Sequence, residues 1–271
     1  GYNNTVGGIS EDEAHFNTFI GYESGLSNRT GANNNFIGYY AGRANLSGYN
    51  NIFIGPNAGM SHTSGSANIY IGYKSGWTST GASNNVCVGN LTGENLSGTG
   101  SNVLIGNKAG KSVTNGIWNV CIGAVAGENS NSSGNILVGF ASGYNAGGAN
   151  NIFIGSQSGY SNTTGEKNVF IGFQAGFQET NSDRLYIDNS NTTTPLIYGR
   201  FDTDYVRIYG SLAVGESPLS AAIGNKFNTY ANNYRTTIFG SPYGGYSASF
   251  NNDGDNNNRR GIEISCGTDN N

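Results

Sequence analysis

The sequence predicts an all-β chain whose larger part winds as a parallel β-solenoid, a β-roll of about ten coils of 16–17 residues, with a β-rich neck and a small β module after it. Three observations predict it. A phrase of the form Asn-x-Phe-Ile-Gly-x-x-Ala-Gly recurs ten times; its spacing is 17 residues, shortened to 16 around Leu137; and no stretch carries the 3.6-residue apolar period of a helix. Composition agrees. Of 271 residues 44 are Gly and 42 Asn, so turn-forming residues make up about a third of the chain. Only 11% are charged, yet there are 17 Tyr and 13 Phe, which separates the chain from disordered sequences that lack aromatics and carry charge.

Residues 1–16 form a lead-in. The repeats occupy 17–179, and one slot of each is filled by Phe19, Phe36, Phe53, Tyr70, Cys87, Leu104, Cys121, Leu137, Phe153 and Phe170. Asn stands two residues before this slot in every repeat, from Asn17 to Asn168; Gly stands two residues after it, and a second Gly four residues later, from Gly25 to Gly176. A unit this short with one run of β-formers between glycines fits a single solenoid coil, and nine steps of about 4.8 Å give a rod of roughly 43 Å. Glycine permits corner angles that other residues resist. The recurrent Asn has two readings, a ladder hydrogen-bonded from coil to coil and a plain turn preference.

Alternation along the strand separates two faces. The residues flanking the Phe slot are β-branched nearly throughout, as in Ile52 and Ile54 or Val103 and Ile105, so they share one face and the Phe slot takes the other. With the β-branched pair filling each coil, the Phe slots would form an outward stripe about 43 Å long, and self-association is its simplest cover.

After the repeats come Leu185-Tyr-Ile-Asp-Asn189, Pro195-Leu-Ile-Tyr-Gly199 and Val206-Arg-Ile-Tyr-Gly210, a neck over 180–215, and then short strand-like runs over 216–271, a module that reads as truncated. The tandem phrases, Asn51 to Gly59 or Asn168 to Gly176, resemble the repeats of phage-type tail fibres and related bacterial surface fibres that often end in an intramolecular-chaperone peptidase domain. They are similar, at one remove, to the head repeats of trimeric autotransporter adhesins. The resemblance spans about residues 17–215. It implies a homotrimer, on a virion or outside a cell, and it carries over no catalytic residue, because no chaperone domain is in this chain.

Other signals mostly close off function classes. A net charge of −4 leaves no basic face for nucleic acid, and no apolar run approaches the roughly 18 residues of a membrane helix. The chain starts at Gly1 and its one Met is Met60, so it reads as a fragment or processed product. Gly106-Asn-Lys-Ala-Gly-Lys-Ser112 has three residues between its glycines where a phosphate loop needs four, and Asp253-Gly-Asp-Asn-Asn-Asn258 lacks the glycine and glutamate of a calcium loop. Glu94 and Glu128 share a slot two coils apart, about 10 Å, at or beyond the separation of an inverting glycosidase pair. Cys87 and Cys121 are likewise two coils apart, too far for a disulfide. His15 and His62 stand outside any metal-ligand spacing. No catalytic group, cofactor or metal is therefore expected.

The functional lead is aromatic. Tyr22, Tyr39 and Tyr73 share one outer slot with Phe140 and Phe173; Trp77, Tyr144 and Tyr160 share another with Phe177. Such rings either stack on sugars or pack at corners and between subunits. The reading these signals support is a trimeric fibre or adhesin segment that binds a host cell-surface glycan or protein receptor. A structural shaft and a glycan-degrading tailspike are the alternatives.

Overall fold

The computed structural model describes residues 15–97 and 100–209. Each repeat phrase forms a strand of three residues: β1 (Thr18–Ile20), β2 (Asn35–Ile37), β3 (Ile52–Ile54), β4 (Ile69–Ile71), β5 (Val86–Val88), β6 (Val103–Ile105), β7 (Val120–Ile122), β8 (Ile136–Val138), β9 (Ile152–Ile154) and β10 (Val169–Ile171). Neighbouring strands pair in parallel and in register, Phe19 on Phe36 and so on to Phe153 on Phe170. Each repeat is thus one coil of a parallel β-solenoid, as the period predicts. An eleventh parallel strand, β11 (Arg184–Ile187), sets Tyr186 beside Phe170; β12 (Ile197–Arg200) and β13 (Tyr205–Ile208) then return antiparallel. No helix occurs among the described residues. The expected C-terminal module over 216–271, with Cys266 and the Asp253 turn, lies outside them, as do residues 1–14 and 210–215.

The strands end where glycine begins. Gly55, the corner residue after β3, has a φ of 125° and lies so near the next coil that a Cβ on it would stand 2.8 Å from the Gly72 carbonyl oxygen. Only a residue without a side chain fits both conditions. Asn51 shows what the Asn slot does: its Oδ1 accepts the backbone N–H of Asn68 at 3.0 Å, and its Nδ2 donates to the Gly65 carbonyl at 2.9 Å. The same acceptance runs from Asn17 under Asn34 to Asn168 under Arg184. The ladder and the turn preference coexist on adjacent residues. The slot Asn builds the ladder, while the residue before it, such as Asn33, Asn50 or Asn84, takes the left-handed corner at φ 56–60°.

The two strand faces are assigned opposite to the sequence expectation. Phe36, Phe53, Tyr70, Cys87, Leu104, Leu137, Phe153 and Phe170 are fully buried within their own coils, and the β-branched neighbours point outward. The reason is room. A three-residue strand sends one side chain inward, and the wall opposite is built of small residues such as Ala41, Ala58 or Ala109 and of one slot filled by Asn45 or Asn162, or by His62, Leu96 or Val113, so the interior has width for the Phe-slot group and one medium-sized side chain facing it. Rings that follow the strand spacing also stack: Phe19–Phe36–Phe53–Tyr70 and Phe153–Phe170 have centroids 4.7–5.0 Å apart at 5–12°. An outward Phe stripe therefore does not exist, and the apolar stripe that does exist is made of Ile and Val.

Candidate functional site

Two β-branched rows run the length of the ladder. One begins at Thr18 and Asn35 and continues Ile52, Ile69, Val86 to Val169; the other runs from Ile20 and Ile37 to Ile171. Neither holds a charge, and Thr18 and Asn35 are their only polar members. Ile37, Ile105, Ile122, Ile154 and Ile171 are 36–40% exposed. With side chains spaced about 7 Å along a strand and 4.8 Å between strands, the face covers on the order of 500 Å². That is at the upper end of what single soluble chains leave bare. Tyr22, Tyr39, Tyr73, Phe140 and Phe173 extend it as exposed residues just past the corner glycine.

The aromatics named from sequence fall into three settings. At the first coils, Tyr22 stacks on Tyr39 at 5.6 Å, and Tyr39 meets Tyr40 at 3.9 Å. The Arg43 guanidinium lies over Tyr40 and holds Glu23 at 2.6 Å; hydrogen bonding to Glu23 raises the Tyr22 phenol above its usual range. In the middle, the Lys74 ammonium sits 3.8 Å over the Trp77 ring and 5.5 Å from the Tyr73 ring, while Trp77 Nε1 donates to Met60 Sδ. Farther on, Tyr144, Tyr160 and Phe177 form a second ladder at 5.0 Å spacing. A ring inside such a ladder has both faces covered by its neighbours. Only a ladder end can offer a face.

The polar groups weighed from sequence are tied to neighbouring coils. Lys111, in the slot between Glu94 and Glu128, lies 3.6 Å from Glu94, and Lys108 lies 3.9 Å from Glu128, so the carboxylates alternate with ammoniums along the rod. The amides of Lys108, Gly110 and Ser112 in the loop with phosphate-binding flavour already donate to Asn90, Ala126 and Glu128 carbonyls. Cys87 and Cys121 are buried and free with Leu104 between them, and burial pushes the Cys121 thiol up to about 12. His62 is buried with Nε2 2.7 Å from the Gly65 carbonyl and Nδ1 3.2 Å from Ser79 Oγ. His15 is exposed, and no group of three or more His, Cys, Asp or Glu that could hold a metal occurs among the described residues.

One concave site escaped the sequence reading. A cleft of about 280 Å³ opens at the end of the solenoid, lined by Phe177, Glu179, Asn181, Tyr186, Asn191 and Thr192 among others. Its signal in the sequence is where the repeat fails, since Asp188-Asn-Ser-Asn-Thr192 replaces the Gly-x-x-Ala-Gly corner. Compared with protein-family models, curated proteins and solved structures, the chain matches none.

Proposed function

We propose that this chain is a segment of a homotrimeric fibre, virion-borne or at a cell surface, that displays a host-attachment surface and performs no catalysis. The observation that carries the proposal is the uncharged double row along the ladder, made of Ile and Val on both flanks from β3 to β10. Two such faces together bury about 1,000 Å², the lower bound for a specific interface, and the exposed aromatic row beside them enlarges it. Association covers a face that solvent penalises and aligns the rods, so identical binding sites project from one stalk. Attachment then works by effective concentration, and weak single contacts suffice. The alternation of Glu94, Lys111 and Glu128 favours this reading over glycan hydrolysis, because ion-paired carboxylates about 10 Å apart suit solubility better than acid–base work.

The test is avidity. The assembled protein should bind a responsive cell type or immobilised glycan at least 100-fold more tightly than an assembly-deficient variant with both Ile105→Asp and Ile122→Asp. Binding by neither, across a broad panel of cells and glycans, would reduce the protein to a structural shaft. New reducing ends released from a host polysaccharide would overturn the non-catalytic reading.

A further inference from the structure

The cleft at the end of the coil stack has the polar and aromatic pattern of a sugar site. In the nine coils before it the amide of the second glycine donates to the next coil, as in Gly25 to the Ala41 carbonyl and Gly159 to the Ala175 carbonyl, both at 3.0 Å. The amide two residues on does the same, as in Ser161 to the Phe177 carbonyl at 2.9 Å. Coil ten has no coil of that form above it. Residues 188–192 abandon the corner sequence and the chain reverses into β12, so the amides of Gly176 and Gln178, two residues that line the cleft, have no acceptor among the described residues.

Phe177 closes the Tyr144–Tyr160–Phe177 ladder at the same place. Counted from the Phe170–Tyr186 register, its counterpart in the next turn is Thr193, which is no ring, and no ring other than Tyr160 stacks on Phe177 among the described residues. Beside it the Glu179 carboxylate is held in place. Its Oε1 accepts the Asn181 backbone N–H at 2.8 Å and the Asn181 Nδ2 at 2.7 Å, and its Oε2 accepts the Tyr186 hydroxyl at 2.8 Å. Burial, with Glu179 next to it, raises the Tyr186 phenol, which therefore stays protonated and donating. One Oε2 lone pair remains.

We propose that this cleft binds one neutral pyranose unit of a glycan. The C–H face of the sugar lies on Phe177, one hydroxyl donates to Glu179, and ring or hydroxyl oxygens accept from the Gly176 and Gln178 amides. Two free amides alone would suit an anion, but the fixed carboxylate opposes one, which selects neutral sugars over sialic or uronic acids. The proposal rests on the attachment reading and gives it a ligand class and a place.

Saturation-transfer NMR on the intact protein, with glucose, galactose, mannose, rhamnose, N-acetylglucosamine and N-acetylneuraminic acid as probes, tests it directly. At least one neutral sugar should receive saturation while N-acetylneuraminic acid receives none. Phe177→Ala should weaken that signal at least fivefold, Phe177→Tyr should keep it, and Tyr144→Ala at the far end of the ladder should change it less than twofold. Saturation of no neutral sugar, or equal saturation in wild type and a folded Phe177→Ala protein, overturns the site. Cell attachment retained by Phe177→Ala would locate attachment elsewhere while leaving the fibre reading standing.

Discussion

His62 occupies the slot that holds Asn28, Asn45 and Asn162 in other coils, packed edge-on against Phe53 at 5.1 Å and Tyr70 at 6.0 Å. Burial lowers its pKa, and the groups around it, Tyr70, Ser79 and the Gly65 carbonyl, include none that is charged at neutral pH. The unfolded chain therefore binds more protons than the native one as pH falls below about 6.5, so native stability rises with pH through that window and is lost on acidification. Melting temperature should drop between pH 7 and pH 5, and His62→Asn should flatten that part of the profile. A parallel profile in the variant would contradict the assignment. Ser130 offers a second residue-scale test. Its hydroxyl is buried without a hydrogen-bond partner among the described residues, and Ala146 fills the same slot one coil later. Ser130→Ala should stabilise by about 1 kcal/mol in chemical denaturation.

At the scale of the coil, period and strand placement were legible because every repeat states them again. Which face turned inward was not, since alternation separates two faces and stays silent on which is inside. The deciding clue was the second glycine. A Cβ on Gly59 would stand 2.6 Å from the Phe53 ring, so that glycine is small because Phe packs inward upon it. Phe53→Asp should accordingly cost about 3–5 kcal/mol as a core lesion and unfold its neighbourhood, rather than merely separate folded subunits. Because each coil bonds to its neighbours, removing one whole repeat, residues 38–54, should shorten the rod and keep its circular-dichroism signature. Removing eight residues shifts the Asn and Phe ladders out of register, and equal tolerance of the two deletions would be incompatible with stacked coils.

For the whole molecule, the solenoid could be read from the sequence, but its end could not. Leu185 to Asp188 looked like neck, although Leu185–Ile187 pair parallel as an added rung, and the cleft exists because the corner after that rung is missing. Three features motivate the proposed assembly: an uncharged outer face, a row of exposed aromatics beside it, and charges such as Glu94, Lys111 and Glu128 placed past the second glycine instead. The central claim is that inward Phe and Leu hold coils together while outward Ile and Val hold chains together. Light scattering after size exclusion tests it most directly, comparing wild type with the Ile105→Asp and Ile122→Asp double variant. The account predicts a three-chain mass for the wild type and a single-chain mass with unchanged circular dichroism for the variant; a monomeric wild type, or a variant that keeps the wild-type mass, would contradict it.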